Sequence, residues 1–134
     1  MIVDSNVVIE LLRESSDESA KVVDAYARLS VKYDPMINPV IFAETAMGSP
    51  TLESFEDRLS ELELTVVPLD NRDAFRASHA FVAYRQNRGP RTTILPDFLI
   101  GAQASVRGWP ILTRDPRRFA SYFPEVKIIN PLEV

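Results

Sequence analysis

The chain has 134 residues, 46% of them hydrophobic and 25% charged, with a net charge of -4, no cysteine and a single histidine, His79. That suffices for one domain with a sizeable core, expected over residues 1–134. No apolar run approaches the roughly 20 residues a membrane helix needs, and Asp4 and Glu10 spoil an N-terminal signal segment, so the expected location is the cytoplasm. Disulfides and thiolate metal sites are excluded and a histidine-rich zinc site lacks ligands, so any metal must be held by oxygen, which favours Mg²⁺ or Mn²⁺.

In chain order, Met1 to Val3 reads as a first strand. A short helix is predicted from Val7 to Arg13. Asp17 can cap a second through Lys32, with Val22, Val23, Tyr26 and Leu29 as its apolar stripe. Met36 to Asn38 reads as a second strand, and Pro39 suits the first position of a helix running to Met47 before Gly48. Pro50 opens a helix to Glu63, and Leu64 to Val67 is the third strand. Asp70 can cap a long helix to Arg88, followed by a loop from Gly89 to Thr93. Pro96 and Asp97 start a helix with almost no polar face, expected to be central, and Gly108 ends it. Ile111 to Thr113 and Val126 to Ile129 are the fourth and fifth strands. Such alternation of strand and helix predicts an α/β fold, a parallel sheet covered by helices on both faces.

Asp4, Glu44, Asp97 and Asp115 each interrupt an apolar stretch. An ionised group among Ile, Val, Leu and Phe is costly unless it has a partner. In a parallel sheet, ligands bind outside the carboxyl ends of the strands, where Asp4 and Asp115 fall, and Asp97 starts the buried helix. Glu44 shares a helix stripe with Val40 and Met47, which predicts an inward carboxylate. Two carboxylates about 4 Å apart repel by roughly 4 kcal/mol at an effective dielectric of about 20, so convergence of all four calls for protons or a divalent cation. Singly, Asp4 and Asp97 could be helix caps and Asp115 a turn former beside Thr113.

Charge is unevenly spread. From Arg72 to Arg118 there are nine Arg against three acids, a balance of +6, while the remainder carries six basic and sixteen acidic residues. Arg pairs bidentately with phosphate, and the clustering points to a polyanionic partner.

The segments Ile2-Val3-Asp4-Ser5-Asn6, Pro39 to Ala46, Ile94-Leu95-Pro96-Asp97-Phe98-Leu99-Ile100-Gly101-Ala102, and Ile111-Leu112-Thr113-Arg114-Asp115 through Phe119 resemble, in order and spacing, the PIN domain. More narrowly they resemble the VapC-type toxin ribonucleases of toxin–antitoxin pairs. The resemblance covers essentially the whole chain. It implies a three-layer α/β/α sandwich with a central five-stranded parallel sheet and Mg²⁺- or Mn²⁺-dependent cleavage of RNA. It makes Asp4, Glu44, Asp97 and Asp115 the acidic quartet, with Asp4 and Asp97 the firmest ligands, and matches Ser5, Asn6 and Thr113 to positions that orient the acids or a water. Gln103 stands where close relatives often carry His. The resemblance also implies a homodimer silenced by an antitoxin protein, with Glu10 to Glu18 and Ser54 to Glu63 as candidate antitoxin-facing helices.

The mechanism expected is that of an endoribonuclease. A metal ion bound by Asp4 and Asp97, assisted by Glu44 and Asp115, activates water for in-line attack on an RNA phosphodiester. Arg85, Arg88, Arg91, Arg114, Arg117 and Arg118 position the RNA backbone, and Tyr84, Phe119 and Tyr122 are candidates to stack a base. The alternatives are a catalytically idle protein-binding module and a phosphoacceptor receiver domain with Asp70 as acceptor and Lys127 as its lysine.

Overall fold

Ile2 and Val3, both without solvent exposure, form the middle strand of the sheet, with the equally buried Ile111 and Leu112 alongside. The computed structural model describes residues 1–13, 16–87 and 95–134. Its elements are β1 (Ile2–Val3), α1 (Ser5–Arg13), α2 (Asp17–Lys32), β2 (Met36–Ile37), α3 (Pro39–Thr45), α4 (Leu52–Glu61), β3 (Thr65–Val66), α5 (Asn71–Gln86), α6 (Leu95–Arg107), β4 (Ile111–Leu112), α7 (Arg117–Ala120) and β5 (Ile128–Ile129). The strands form one five-stranded sheet in the order β3-β2-β1-β4-β5, every pairing parallel. Parallel neighbours need crossovers, and the helices that supply them flank the sheet as an α/β/α sandwich, the architecture the strand and helix alternation predicts. No helix among the described residues is long and apolar enough to cross a membrane.

Helix starts follow local chemistry. The side chains of Ser16, Asn38, Thr51 and Asp70 each accept a hydrogen bond from the first-turn backbone of α2, α3, α4 and α5, and Thr51 and Asp70 complete reciprocal capping boxes with Ser54 and Asp73. Thr51 therefore starts α4 two residues later than Pro50 suggests. The first helix starts earlier than predicted, because the Asp4 carbonyl already accepts from Val7 and Val8 N–H. The third stops at Thr45, short of Met47. The third strand, expected over Leu64 to Val67, is an exposed edge pair, Thr65 and Val66. The single-turn α7 was not predicted.

The apolar helix α6 is the buried one, as expected. Phe98, Ile100, Gly101, Ala102, Gln103 and Ala104 are all interior, and the Phe123 ring fills the place where a Cβ on Gly101 would stand. A helix lying this close to its neighbour carries Asp97 in its first turn toward the sheet's carboxyl edge.

Candidate active site

Strand register creates the centre of the site. Ile2 pairs with Ile111 and Val3 with Leu112, so Asp4 and Thr113 emerge side by side at the carboxyl ends of β1 and β4. Thr113 Oγ1 donates to Asp4 Oδ2 at 2.7 Å, and the Ser5 N–H donates to Asp4 Oδ1 at 2.8 Å. Asp4 has no solvent exposure. Burial pushes its carboxyl above the usual 3.8, and the Arg118 guanidinium, the Thr113 hydroxyl and the Ser5 amide offset only part of that rise.

Arg118, on α7, joins Asp4 to Asp97. Its Nη1 donates to Asp4 Oδ2 at 2.7 Å and its Nε to Asp97 Oδ2 at 3.1 Å, while Nη2 donates to Asp97 Oδ1. The guanidinium fork thus grips Asp97 with two nitrogens and Asp4 with the third. Burial opposes the charge on Arg118, but the hydrogen bond to Asp97 and the fields of Asp4, Asp97 and Glu44 outweigh it and hold the group above its ordinary pKa. Glu44, half-buried on α3, accepts from Ser5 Oγ at 2.5 Å. Asp4, just past β1, and Asp97, on α6, therefore flank one cation, and the field of Glu44 reaches it from α3.

Thr113 uses all of its hydrogen-bonding capacity here. Besides donating to Asp4 it accepts from Asp115 N–H at 3.0 Å and from Asn6 Nδ2 at 3.4 Å, and Asn6 Oδ1 in turn accepts from Arg114 N–H at 3.1 Å. Ser5 and Thr113 thus bond Asp4 directly, and Asn6 bonds Thr113.

Two expectations about the acids change. Glu44 does not lie on a buried stripe, since Met47 beyond the helix end is 82% exposed; its inward tie is the single bond from Ser5. Asp115 sits in the turn between β4 and α7, where its backbone bonds Thr113, and among the described residues its carboxylate pairs with neither a cation nor a donor. Among those residues no three acids are close enough to hold an ion jointly. The donor set nonetheless suits a hard divalent cation. It is all oxygen, and a cationic group, Arg118, already stands between Asp4 and Asp97.

The arginine cluster is largely consumed by acids that the fold brings to it. Arg72, Arg76, Arg107, Arg114 and Arg118 all form ion pairs, with Asp70, Glu125, Asp73, Glu10 and Asp4 among their partners. Arg114 spans Glu10 at 2.9 Å and Glu18 at 2.8 Å, tying α1 and α2 to the end of β4. Among the described residues Arg85 and Arg117 are exposed and meet no carboxylate, whereas Arg88 and Arg91 lie outside the described residues. Phe119 is fully buried and Tyr84 and Tyr122 pack edge-on against Phe98, so these three candidates for base stacking serve the interior. Gln103 is buried too, its Nε2 donating to the Val67 and Pro68 carbonyls at 3.2 Å, which makes it a brace between α6 and the end of β3. The role of Arg118 within the acid cluster was missed, because nothing in the local sequence marks it off from its neighbour Arg117.

The receiver-domain alternative loses its residues. Asp70 caps α5 and pairs with Arg72, Lys127 is exposed and bonds Tyr33 Oη at 3.3 Å, and the strand order is not the 2-1-3-4-5 of that fold.

A family model described as the PIN domain matches residues 1–123. Among solved structures, FitAcB from Neisseria gonorrhoeae is similar at 22% identity with a TM-score of 0.76, the alignment covering 99% of this chain and 99% of that one. VapBC2 from Rickettsia felis, bound to a DNA fragment from its promoter, is similar at 15% identity and TM-score 0.74, with 96% of each chain covered. A toxin–antitoxin complex from Klebsiella pneumoniae is similar at 21% identity and TM-score 0.65, covering 99% of this chain and 98% of that one. Comparison with curated proteins finds no match.

Proposed function

We propose that this chain, which belongs to the PIN domain family, is a divalent-metal-dependent endoribonuclease of the VapC type, the toxin of a toxin–antitoxin pair. The observation that carries the reading is the pairing of Asp4 and Asp97 around a single cation at the carboxyl ends of the central strands. Asp4, buried, and Asp97, half-buried, are held together at that edge by one cationic side chain, and the same pair of carboxylates suits a hard divalent cation.

Asp4 and Asp97 would hold a Mg²⁺ or Mn²⁺ ion, with Glu44 and Asp115 reaching it directly or through water. When bound, such an ion polarises phosphoryl oxygens and lowers the pKa of water. Ser5 and Thr113 fix the Asp4 carboxylate so that both of its oxygens keep one direction. Asn6 holds the β4 to α7 turn, and with it Asp115, against α1. Arg85 and Arg117 are exposed and offer phosphate contacts along an RNA backbone, joined in this reading by Arg88 and Arg91. Arg114 and Arg118 are engaged within the chain, so their contribution to RNA is indirect.

The likeness to the Klebsiella toxin–antitoxin complex supports an antitoxin partner, and a homodimer is part of the same proposal. The surfaces that suit an antitoxin are those of α1, α2 and α4, where Leu11, Val23, Tyr26, Val31 and Leu62, together with Ser30, Glu61 and Glu63, line an open cavity.

The test is cleavage of a panel of labelled RNAs by the purified protein in Mg²⁺ or Mn²⁺, with EDTA and with Asp4→Asn and Asp97→Asn as controls. Cleavage should need the metal and vanish in both variants. Cleavage that survives EDTA or both substitutions, or a protein that cuts no RNA and takes up no Mn²⁺, defeats the assignment.

A further inference from the structure

We propose that Arg118 is the site's built-in counter-ion, which a divalent metal must displace from between Asp4 and Asp97, so that this one side chain sets the affinity for metal. The inference rests on the nuclease reading above and concerns a residue that reading leaves without a task.

Three observations support it. All three nitrogens of the guanidinium are spent on the two acids expected to be the firmest metal ligands, and the field of Glu44 falls on the same group. A monovalent organic cation thus occupies the electrostatic niche of the metal, and two cations cannot share it without strong repulsion. Its side chain is 26% exposed whereas that of Asp4 is 0% exposed, so the arginine has a route to solvent and the aspartate has none. The backbone that carries it is held by its neighbour Phe119, which is fully buried, so the guanidinium can withdraw by side-chain rotation while α7 stays in place.

A structural arginine and a counter-ion differ in what their loss does. If Arg118 merely holds the site together, removing it loosens the acids and weakens metal binding. If it competes with metal, removing it uncovers the acids and metal binding tightens, even as the metal-free protein becomes less stable because Asp4 is left buried with one fewer partner.

The experiment is calorimetric titration of Mn²⁺ alone into the wild-type protein, Arg118→Gln and Arg118→Lys, with thermal unfolding of each in EDTA and in saturating Mn²⁺. Arg118→Gln should bind Mn²⁺ at least about tenfold more tightly than wild type. It should melt several degrees lower in EDTA and gain more from Mn²⁺ than the wild-type protein does. Arg118→Lys keeps the charge without the fork and should fall between the two; it also serves if the Gln variant does not fold. The gain must disappear in the double variant Asp97→Asn, Arg118→Gln. Equal or weaker Mn²⁺ binding by both Arg118 variants overturns the inference and leaves the nuclease reading standing. Failure of wild type and variants alike to bind Mn²⁺ overturns both.

Discussion

Thr113 Oγ1 donates a 2.7 Å hydrogen bond to Asp4 Oδ2 across 109 positions of sequence, and β1 and β4 are paired in the register that makes this bond. The same hydroxyl accepts from Asn6 and from the Asp115 amide, so two segments of the site, Asp4 to Asn6 and Thr113 to Asp115, meet at one oxygen. Asp4 is thereby aimed by the sheet itself.

Thr113→Val should remove that donor and leave the Asn6 amide and the Asp115 N–H without their acceptor. A loss of about 1–3 kcal/mol of stability is expected for buried polar groups stripped of a partner. Mn²⁺ affinity should fall with it, while Thr113→Ser, which keeps the hydroxyl, should stay near wild type in both. Urea unfolding and calorimetry check this; a Val variant as stable as wild type, with the same Mn²⁺ affinity, contradicts the role given to Thr113.

Asp4 affects stability through its charge. Because burial raises its pKa above 3.8, the contribution of its protonated form is fully present below that value and is lost as pH rises through the higher folded value. Asp4→Asn keeps a neutral side chain at every pH. Its thermal midpoint at neutral pH should equal or exceed wild type, with the difference shrinking as pH is lowered toward 3.8, while RNA cleavage and Mn²⁺ binding are abolished. A variant that melts well below wild type at neutral pH would show that the Arg118 pairing outweighs the cost of burial.

Asp70 carries the opposite sign. Hydrogen bonds from the Arg72 side chain and from the Asp73 amide hold its carboxyl at about 2, below the ordinary 3.8. Stability from that lowered pKa is present above 3.8 and lost as pH falls through about 2. Asp70→Asn retains an oxygen to cap α5 and drops only the charge, so its acid unfolding curve should be shallower than wild type across that window. Identical acid limbs in a circular-dichroism titration would rule this out.

Gly101→Ala tests the closeness of α6 to the α7 end of the chain. Alanine favours a helix over glycine by about 1 kcal/mol. Its methyl would overlap the ring of Phe123, which has no solvent exposure and little room to yield. Overpacking of about 1–3 kcal/mol should win, lowering the denaturation midpoint, and Phe123→Leu should recover part of the loss in a double-mutant cycle. A Gly101→Ala protein more stable than wild type would refute the contact.

How much of this was legible in the sequence differs by feature. The alternation of short apolar runs with helical patterns announced the parallel sheet, because a strand buried on both faces must be apolar throughout and its crossover must be amphipathic. Helix starts were legible to within a residue or so, as at Pro39 and Asp70, although α2 is capped by Ser16 and not by the expected Asp17, which is its first residue. Asp4 and Thr113 were readable as strand-end residues for the same reason. The edge character of β3 was not, since an exposed Thr65 and Val66 look the same in one dimension as a buried pair.

The arginine cluster shows where one-dimensional reading stops. Counted along the chain, the stretch from Arg72 to Arg118 is strongly positive. Folded, Arg114 meets Glu10 and Glu18 from the first quarter of the chain, and Arg118 meets Asp4. A local charge balance omits partners that arrive from a hundred residues away.

Local backbone and burial preferences, which act over a few residues, determined the elements of this protein, their order and the presence of isolated acids in apolar surroundings. Which acids share a cation, that the cation is Arg118 and not its neighbour Arg117, and that its partners are Asp4 and Asp97 were decided by strand register and by the seating of α7. Electrostatic pairing depends on distances of a few ångströms, and only the assembled sheet and helices set those distances.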